Sequence, residues 1–227
     1  MPSTALGAFT TALSEVGDLA RAQRRTSTPT VASLRLERAL GRARVVLLSS
    51  HVERYVHAVN EEAVTYLNGR QIAGSSLPVS VRLMHSRQPL EDAAATVWQN
   101  REPKLATLVA EEGWLWSNDA TGVLAHTRLL QWMKAPTPKN LVRYYKYWGI
   151  EDIFAAVTRS PHTRARLWLG VGELVDKRNN IAHGDVGAQA TQFDIQRYMA
   201  SVRTFCSRAD SRLGKALGTL TAGPAAW

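Results

Sequence analysis

The amino-acid sequence predicts an all-α protein. Apolar residues recur at three- and four-residue steps along most of the chain, and few stretches alternate with the period of a strand. Proline falls mostly between the periodic runs, at positions 29, 78, 89, 103, 136, 138 and 161. The 227 residues, 45% hydrophobic and 21% charged, can bury a core without disulfide or metal staples.

A first amphipathic helix is expected over residues 4–25, closed by Ser27-Thr28-Pro29-Thr30. A long helix follows from 31 to 68, where Val45, Leu48, Val52, Val56, Val59, Ala63 and Tyr66 make one continuous apolar stripe. Residues 69–89 read as a connection, with a short strand or helical turn around 79–84. Further helices are expected near 90–110 and 120–133. A proline-containing turn at 134–140 leads into a helix over 139–148, which Gly149 ends, and Ile150 to Phe154 starts another short one. Residues 162–183 form a helix closed by Gly184, and 191–217 form the last. Residues 218–227 are small and uncharged and read as a loose tail, on which Trp227 can dock. With no repeat and no domain boundary, the chain reads as one helical domain. It has an N-terminal extension (1–30), a core bundle (31–217) with an inserted or variable middle, and the tail.

Composition narrows the function classes. Cys206 is the single cysteine, so no intrachain disulfide can form, and a reducing cytoplasm is the expected setting. The N-terminal residues do not look like a secretion signal, and no apolar run approaches the roughly 18 residues of a membrane span. The net charge of +9 is uneven: residues 134–215 hold 14 Lys and Arg against 7 Asp and Glu, residues 1–133 hold 14 against 12. Gathered positive charge suits a polyanion such as nucleic acid, although a solvated basic face looks the same in sequence. Phosphate-loop, hydrolase-elbow and paired-cysteine motifs are missing. His51, Glu53 and His57 share a helix, but the two histidines are not four apart, so no metal or other cofactor is expected.

The most informative segment is Arg178-Asn179-Asn180-Ile181-Ala182-His183, at the end of the 162–183 helix. At 100° per residue, Leu167, Val171, Leu174 and Ile181 share one face with Arg178 in its middle, while Gly172, Asp176, Asn179 and His183 lie elsewhere. Arg178 and His183 diverge by about 140° on a regular helix, so one chain does not aim both at one phosphate. Three readings of Arg178 stay open: snorkelling of its head group to the edge of the core, pairing with an acid such as Asp176 or Glu53, or binding phosphate. His183 is either a solvated helix-end residue or a proton carrier. Arg143, Tyr144, Tyr145, Lys146, Tyr147 and Trp148 form a basic-aromatic cluster able to stack bases. Trp98, Trp114, Trp116, Trp132, Trp168 and Cys206 read as packing.

Arg-Asn-x3-His followed by Gly resembles the signature of HEPN-superfamily ribonucleases. Ala43 to Tyr55 is similar to the N-terminal core helix of the RiboL-PSP-HEPN branch, Asn140 to Ile153 to its middle helix-turn, and the helix after Asp194 to its last. The resemblance covers roughly residues 35–215. It implies a HEPN-like helical bundle that dimerises through the motif helix, and a metal-independent endoribonuclease acting at a composite dimer cleft. Arg178 would stabilise charge on the scissile phosphate and His183 would serve as acid or base. Asn179 fits the polar residue after the motif Arg, and Glu53 an acid that orients Arg178 or His183. Lys177, Arg143, Lys146 and Tyr145 are the expected RNA contacts. The expected partners are an RNA substrate, a second copy of the chain and, for a toxin or phage-defence effector, a restraining antitoxin or regulatory protein; no membrane is expected. The alternative is a non-catalytic helical adaptor that binds RNA or a partner protein.

Overall fold

The axis of the fold is α2, Val31–Arg70, whose first turn is closed by a capping box between Thr30 and Ser33. The computed structural model describes residues 1–25 and 30–227, and among these it contains nine α-helices and no strand. Ser27, Thr28 and Pro29 of the expected break lie outside the described residues. The predicted stripe of α2 is the core: Val45, Leu48, Val52, Val56, Val59 and Ala63 are buried, and Tyr66 is partly so. The first helix, α1 (Thr4–Arg25), lays Phe9, Leu13 and Val16 against α2, with Phe9 and Tyr55 rings 5.5 Å apart. At its start the Ser3 amide donates to Asp210 Oδ2 at 3.1 Å, and burial pushes the Asp210 carboxyl above its usual range.

The helices α8 (Pro161–Ala182) and α9 (Gln192–Leu220) complete the main bundle. They run antiparallel: Gly170 meets Ser201 and, one turn on, Glu173 pairs with Arg197 one turn back. A Cβ on Gly170 would stand 2.3 Å from Ser201 Oγ, so only glycine lets the two helices approach this closely. Arg44 bonds Gln192, and Tyr55 donates to the Cys206 carbonyl at 3.1 Å, so α2 and α9 run in the same direction. Cys206 is buried as expected, and burial pushes its thiol up. Beyond α9 the chain folds back: the Ala226 amide donates to Gly214 O at 2.9 Å and the Trp227 indole to Asp210 O at 3.1 Å. The terminal tryptophan therefore docks.

The middle of the chain departs most from expectation. Of the two forms expected for residues 79–84, the helical one is found: they are the first turns of α3, Val79–Ala95, and the connection is shorter than expected. The alternation of Val79, Val81 and Leu83 imitates a strand, but only Val81 of the three is buried. Pro89 lies inside α3 rather than between helices, and the next helix, α4, is Arg101–Glu112. Pro103 sits in the first turn of α4, where a missing N–H leaves no bond unmade. Only His126–Leu130 of the expected 120–133 helix forms, as α5. Three tryptophans expected in the packing are at the surface: Trp98 is 76% exposed, Trp116 49% and Trp168 36%. Trp98 and Trp116 instead carry the guanidiniums of Arg101 and Arg82 over their rings, at 5.3 and 5.0 Å.

A buried polar cluster ties α3, α4 and α5 together. His85 Nδ1 lies 2.6 Å from Glu112 Oε2, and Arg128 reaches the other carboxylate oxygen. The Ala125 amide donates to His85 Nε2 at 2.8 Å, so Nε2 is unprotonated and the ring proton sits on Nδ1. Burial lowers the His85 pKa; the hydrogen bond and charge of Glu112 oppose this, and Arg128 reinforces it. A depressed histidine means the unfolded chain takes up the proton first as pH falls. Stability is then lost from about pH 6.5 downward until the folded pKa is reached. Wild type should lose more melting temperature between about pH 7.5 and about pH 5.5 than His85→Gln does. Equal losses would place the acid sensitivity elsewhere.

The last two helices to be placed are α6 (Pro138–Tyr147) and α7 (Ile153–Ala156). Thr137 caps α6, accepting from the Asn140 amide at 3.2 Å, and Gly149 with φ +80° ends it as expected. Asp152 accepts from the amides of Phe154 and Ala155 and starts α7.

Candidate RNA-cleavage site

The end of α8 is built by backbone hydrogen bonds. The Gly184 amide donates to Ile181 O at 3.1 Å and the Asp185 amide to Asn180 O at 3.0 Å, the paired bonds of a Schellman cap. That cap needs a left-handed residue, which Gly184 supplies with φ +83°. His183 is the C-cap itself, with φ −82° and ψ 7°, and its side chain leaves the helix at the point where the chain turns away. The residue is exposed, and among the described residues its imidazole has no hydrogen-bond or ion-pair partner.

Arg178 lies one turn earlier and is held differently. Leu167, Val171 and Leu174 are buried, but the Arg178 side chain remains 31% exposed at the edge of their stripe. Its Nη2 stands 3.6 Å from Glu53 Oε2 of α2, and Nη1 donates to Asn179 Oδ1 at 3.1 Å. Of the two acids weighed for Arg178, Glu53 is therefore the partner. A half-exposed pair at this distance contributes little stability, on the order of 0–1 kcal/mol. Its consequence is orientation: one hydrogen bond to Asn179 and the nearby Glu53 carboxylate aim the guanidinium and leave its other N–H donors free for a phosphate. No hydrogen bond or ring contact joins Arg178 to His183 among the described residues.

The expected RNA contacts divide. Lys177 is half-buried, beside Arg178. Arg143 is exposed but engaged, with Nε donating to Tyr147 Oη at 2.9 Å and its guanidinium 4.2 Å from the Trp132 ring. Lys146 is exposed and pairs with Glu151 at 2.7 Å. Tyr145 cannot stack a base, because it is fully buried, packed edge-on against Tyr144 and Phe205. The short α6 turns Tyr144, Tyr145 and Tyr147 inward and leaves only its cations outside, a division that adjacency in sequence does not reveal.

Phe193 is 71% exposed on the first turn of α9, Val186 is exposed in the turn between α8 and α9, and Leu169 is exposed on α8. These three apolar residues were not singled out in sequence; for Leu169 and Phe193 the signal is an apolar side chain off the buried stripe of its helix, and for Val186 an apolar residue in a turn. Among the described residues no group of three or more His, Cys, Asp or Glu gathers to hold a metal ion, and no helix is long and apolar enough to cross a membrane.

An all-α bundle with an oriented Arg and a free His at the capped end of its penultimate helix is the architecture of a HEPN domain, a class whose members are often ribonucleases. The chain belongs to the RiboL-PSP-HEPN family, whose model matches residues 10–215. No curated protein and no solved structure matches it.

Proposed function

We propose that this protein is a metal-independent endoribonuclease that acts as a homodimer. The observation that carries the reading is the pairing of functions at the end of α8. A guanidinium is oriented by Glu53 and Asn179 with donors to spare, and an exposed imidazole five residues on has no partner among the described residues. RNA brings its own nucleophile, the 2′-hydroxyl. A base takes that proton, the 2′-oxygen attacks phosphorus, and the bond to the 5′-oxygen breaks as an acid protonates it. Arg178 meets the extra negative charge on the phosphoryl oxygens. Imidazole, which titrates near neutrality, serves either proton step.

One chain supplies one imidazole, and its arginine is not in contact with it. A second copy across the α8 end supplies the missing pair, so that two His183 residues divide the acid and base roles. Exposed Phe193 and Val186 around this end suit such an interface. An unrestrained nuclease harms its own cell, so restraint by an antitoxin or regulatory protein, as in a toxin or phage-defence effector, belongs to the same reading.

Product chemistry tests it. Cleavage should leave 2′,3′-cyclic phosphate and 5′-hydroxyl ends, persist in chelator, and stop at a single 2′-deoxy substitution at the cut position. Cutting of the deoxy substrate would refute the mechanism; tight RNA binding without any cleavage would leave an adaptor.

A further inference from the structure

A second basic feature lies on the N-terminal third of α2. Between 31 and 45 this helix carries Arg35, Arg38, Arg42 and Arg44 against one acid, Glu37. Arg44 points inward and bonds Gln192, which pins the first turn of α9 onto α2. Arg38 and Arg42 line a cavity of about 300 Å³ between α2 and the turn that leads into α9. Its remaining walls include Glu37, Gln189, Thr191 and Gln192. Among the described residues neither Arg38 nor Arg42 has an ion-pair partner, in contrast to Arg87, Arg178 and Arg197, which do.

The position of this cavity gives it meaning. The segment that forms its wall, Gln189 to Gln192, is where the chain goes immediately after leaving His183 and Gly184. On α2, Arg42 lies eleven residues before Glu53. Eleven residues are about three helical turns, so Arg42 falls about 17 Å along the axis and only about 20° round from Glu53. One stripe of α2 therefore carries the acid that holds Arg178 and, farther along, an unpaired guanidinium over a polar hollow. Two free guanidiniums against one carboxylate leave the hollow net positive, which suits a phosphate, whose oxygens accept from the guanidinium fork. Ser49 on the stripe between them is buried, so a chain of phosphates would pass over the stripe, not along it, and span about 17 Å to meet both places.

We propose that the Arg38–Arg42 cavity is a second phosphate subsite, which holds the RNA backbone a few nucleotides from the bond addressed by Arg178 and His183. This rests on the ribonuclease reading, which it deepens by naming a binding determinant away from the cut. The subsite reads charge and not base, so it sets affinity and register and leaves sequence preference to other groups.

Binding can be measured without cleavage on a 2′-O-methyl RNA oligonucleotide, which lacks the free 2′-hydroxyl. Arg38→Ala/Arg42→Ala should bind it roughly tenfold more weakly at moderate salt. Its slope of log affinity against log salt should be shallower by about 1.4, two phosphate contacts at about 0.7 each for a single strand. Arg87→Ala/Lys104→Ala, with the same loss of charge on α3 and α4, should bind as wild type does. Equal weakening in both double variants would reduce the effect to net charge and overturn the subsite, as would an unchanged slope in the first. Preference for polyglutamate over the oligonucleotide would hand the surface to an acidic protein and also overturn it. Cleavage of unmodified RNA by wild type and His183→Ala, run in parallel, separates the two ideas. Loss of binding in the α2 variant with no cleavage by wild type would sink the nuclease and keep the subsite. Cleavage that depends on His183, with binding indifferent to Arg38 and Arg42, would do the reverse.

Discussion

His183→Ala should reduce RNA cleavage by about 10²- to 10⁴-fold, the range for loss of a general acid or base. The melting temperature should not move, because the imidazole is exposed and bonded to nothing in the described chain. The loss should appear in kcat with little change in KM, since the imidazole acts on protons in flight and not on bound phosphate. Arg178→Lys is the companion test. It keeps the charge facing Glu53 but removes the planar fork, so cleavage should still fall by about 10²-fold while the fold holds. Arg178→Ala is less informative, because it leaves the Glu53 carboxylate without its cation. If His183→Ala cleaves like wild type, the proton carrier lies elsewhere and the mechanism given above is wrong.

Phe205→Ala should cost about 3–5 kcal/mol of folding stability, the usual range for a large aromatic removed from a core. Its ring lies on α9, stacked on Phe154 of α7 with centroids 4.8 Å apart and edge-on to Tyr145 of α6 at 6.4 Å. The three helices close around a side chain with no exposure, so the cavity left behind cannot fill by a simple rotamer change. Urea titration measures this directly, and Trp98→Ala is the control. Trp98 is 76% exposed, so despite its size its removal should shift stability by no more than about 0.5 kcal/mol. A Phe205→Ala loss under about 1 kcal/mol would mean that α6 and α7 do not pack on α9 as described.

Much of the fold was legible because local rules suffice for long, one-sided helices. The stripe of α2, the start of α1, the ends of α8, Gly149 as the end of α6 and the burial of Cys206 all follow from period and capping. The middle region was not legible for an equally physical reason. Most of α4 faces solvent and only Glu112 within it is buried, so its pattern has no core side to reveal. The α3 start was masked by an alternation of valine and leucine whose odd members lie outside. The tryptophans misled for a related reason: a large ring can sit at the surface when a guanidinium covers its face.

For the site, the sequence by itself determined which chemical groups are present and where the helix that carries them must stop. Arg178, Asn179 and His183 before a glycine define a capped terminus, since φ/ψ preference is a local property. Which neighbour each group meets was decided only by the tertiary structure. Glu53 rather than Asp176 reaches Arg178 because α2 crosses the motif helix there. Tyr145 is lost to the core because α6 is pressed onto α9, although its sequence neighbours Arg143 and Lys146 stay outside. Arg38 and Arg42 border a hollow because the turn after the motif returns to α2. These are contacts between segments far apart in the chain, and only packing of one helix against another can choose among acids, rings and cations that are equally available in sequence.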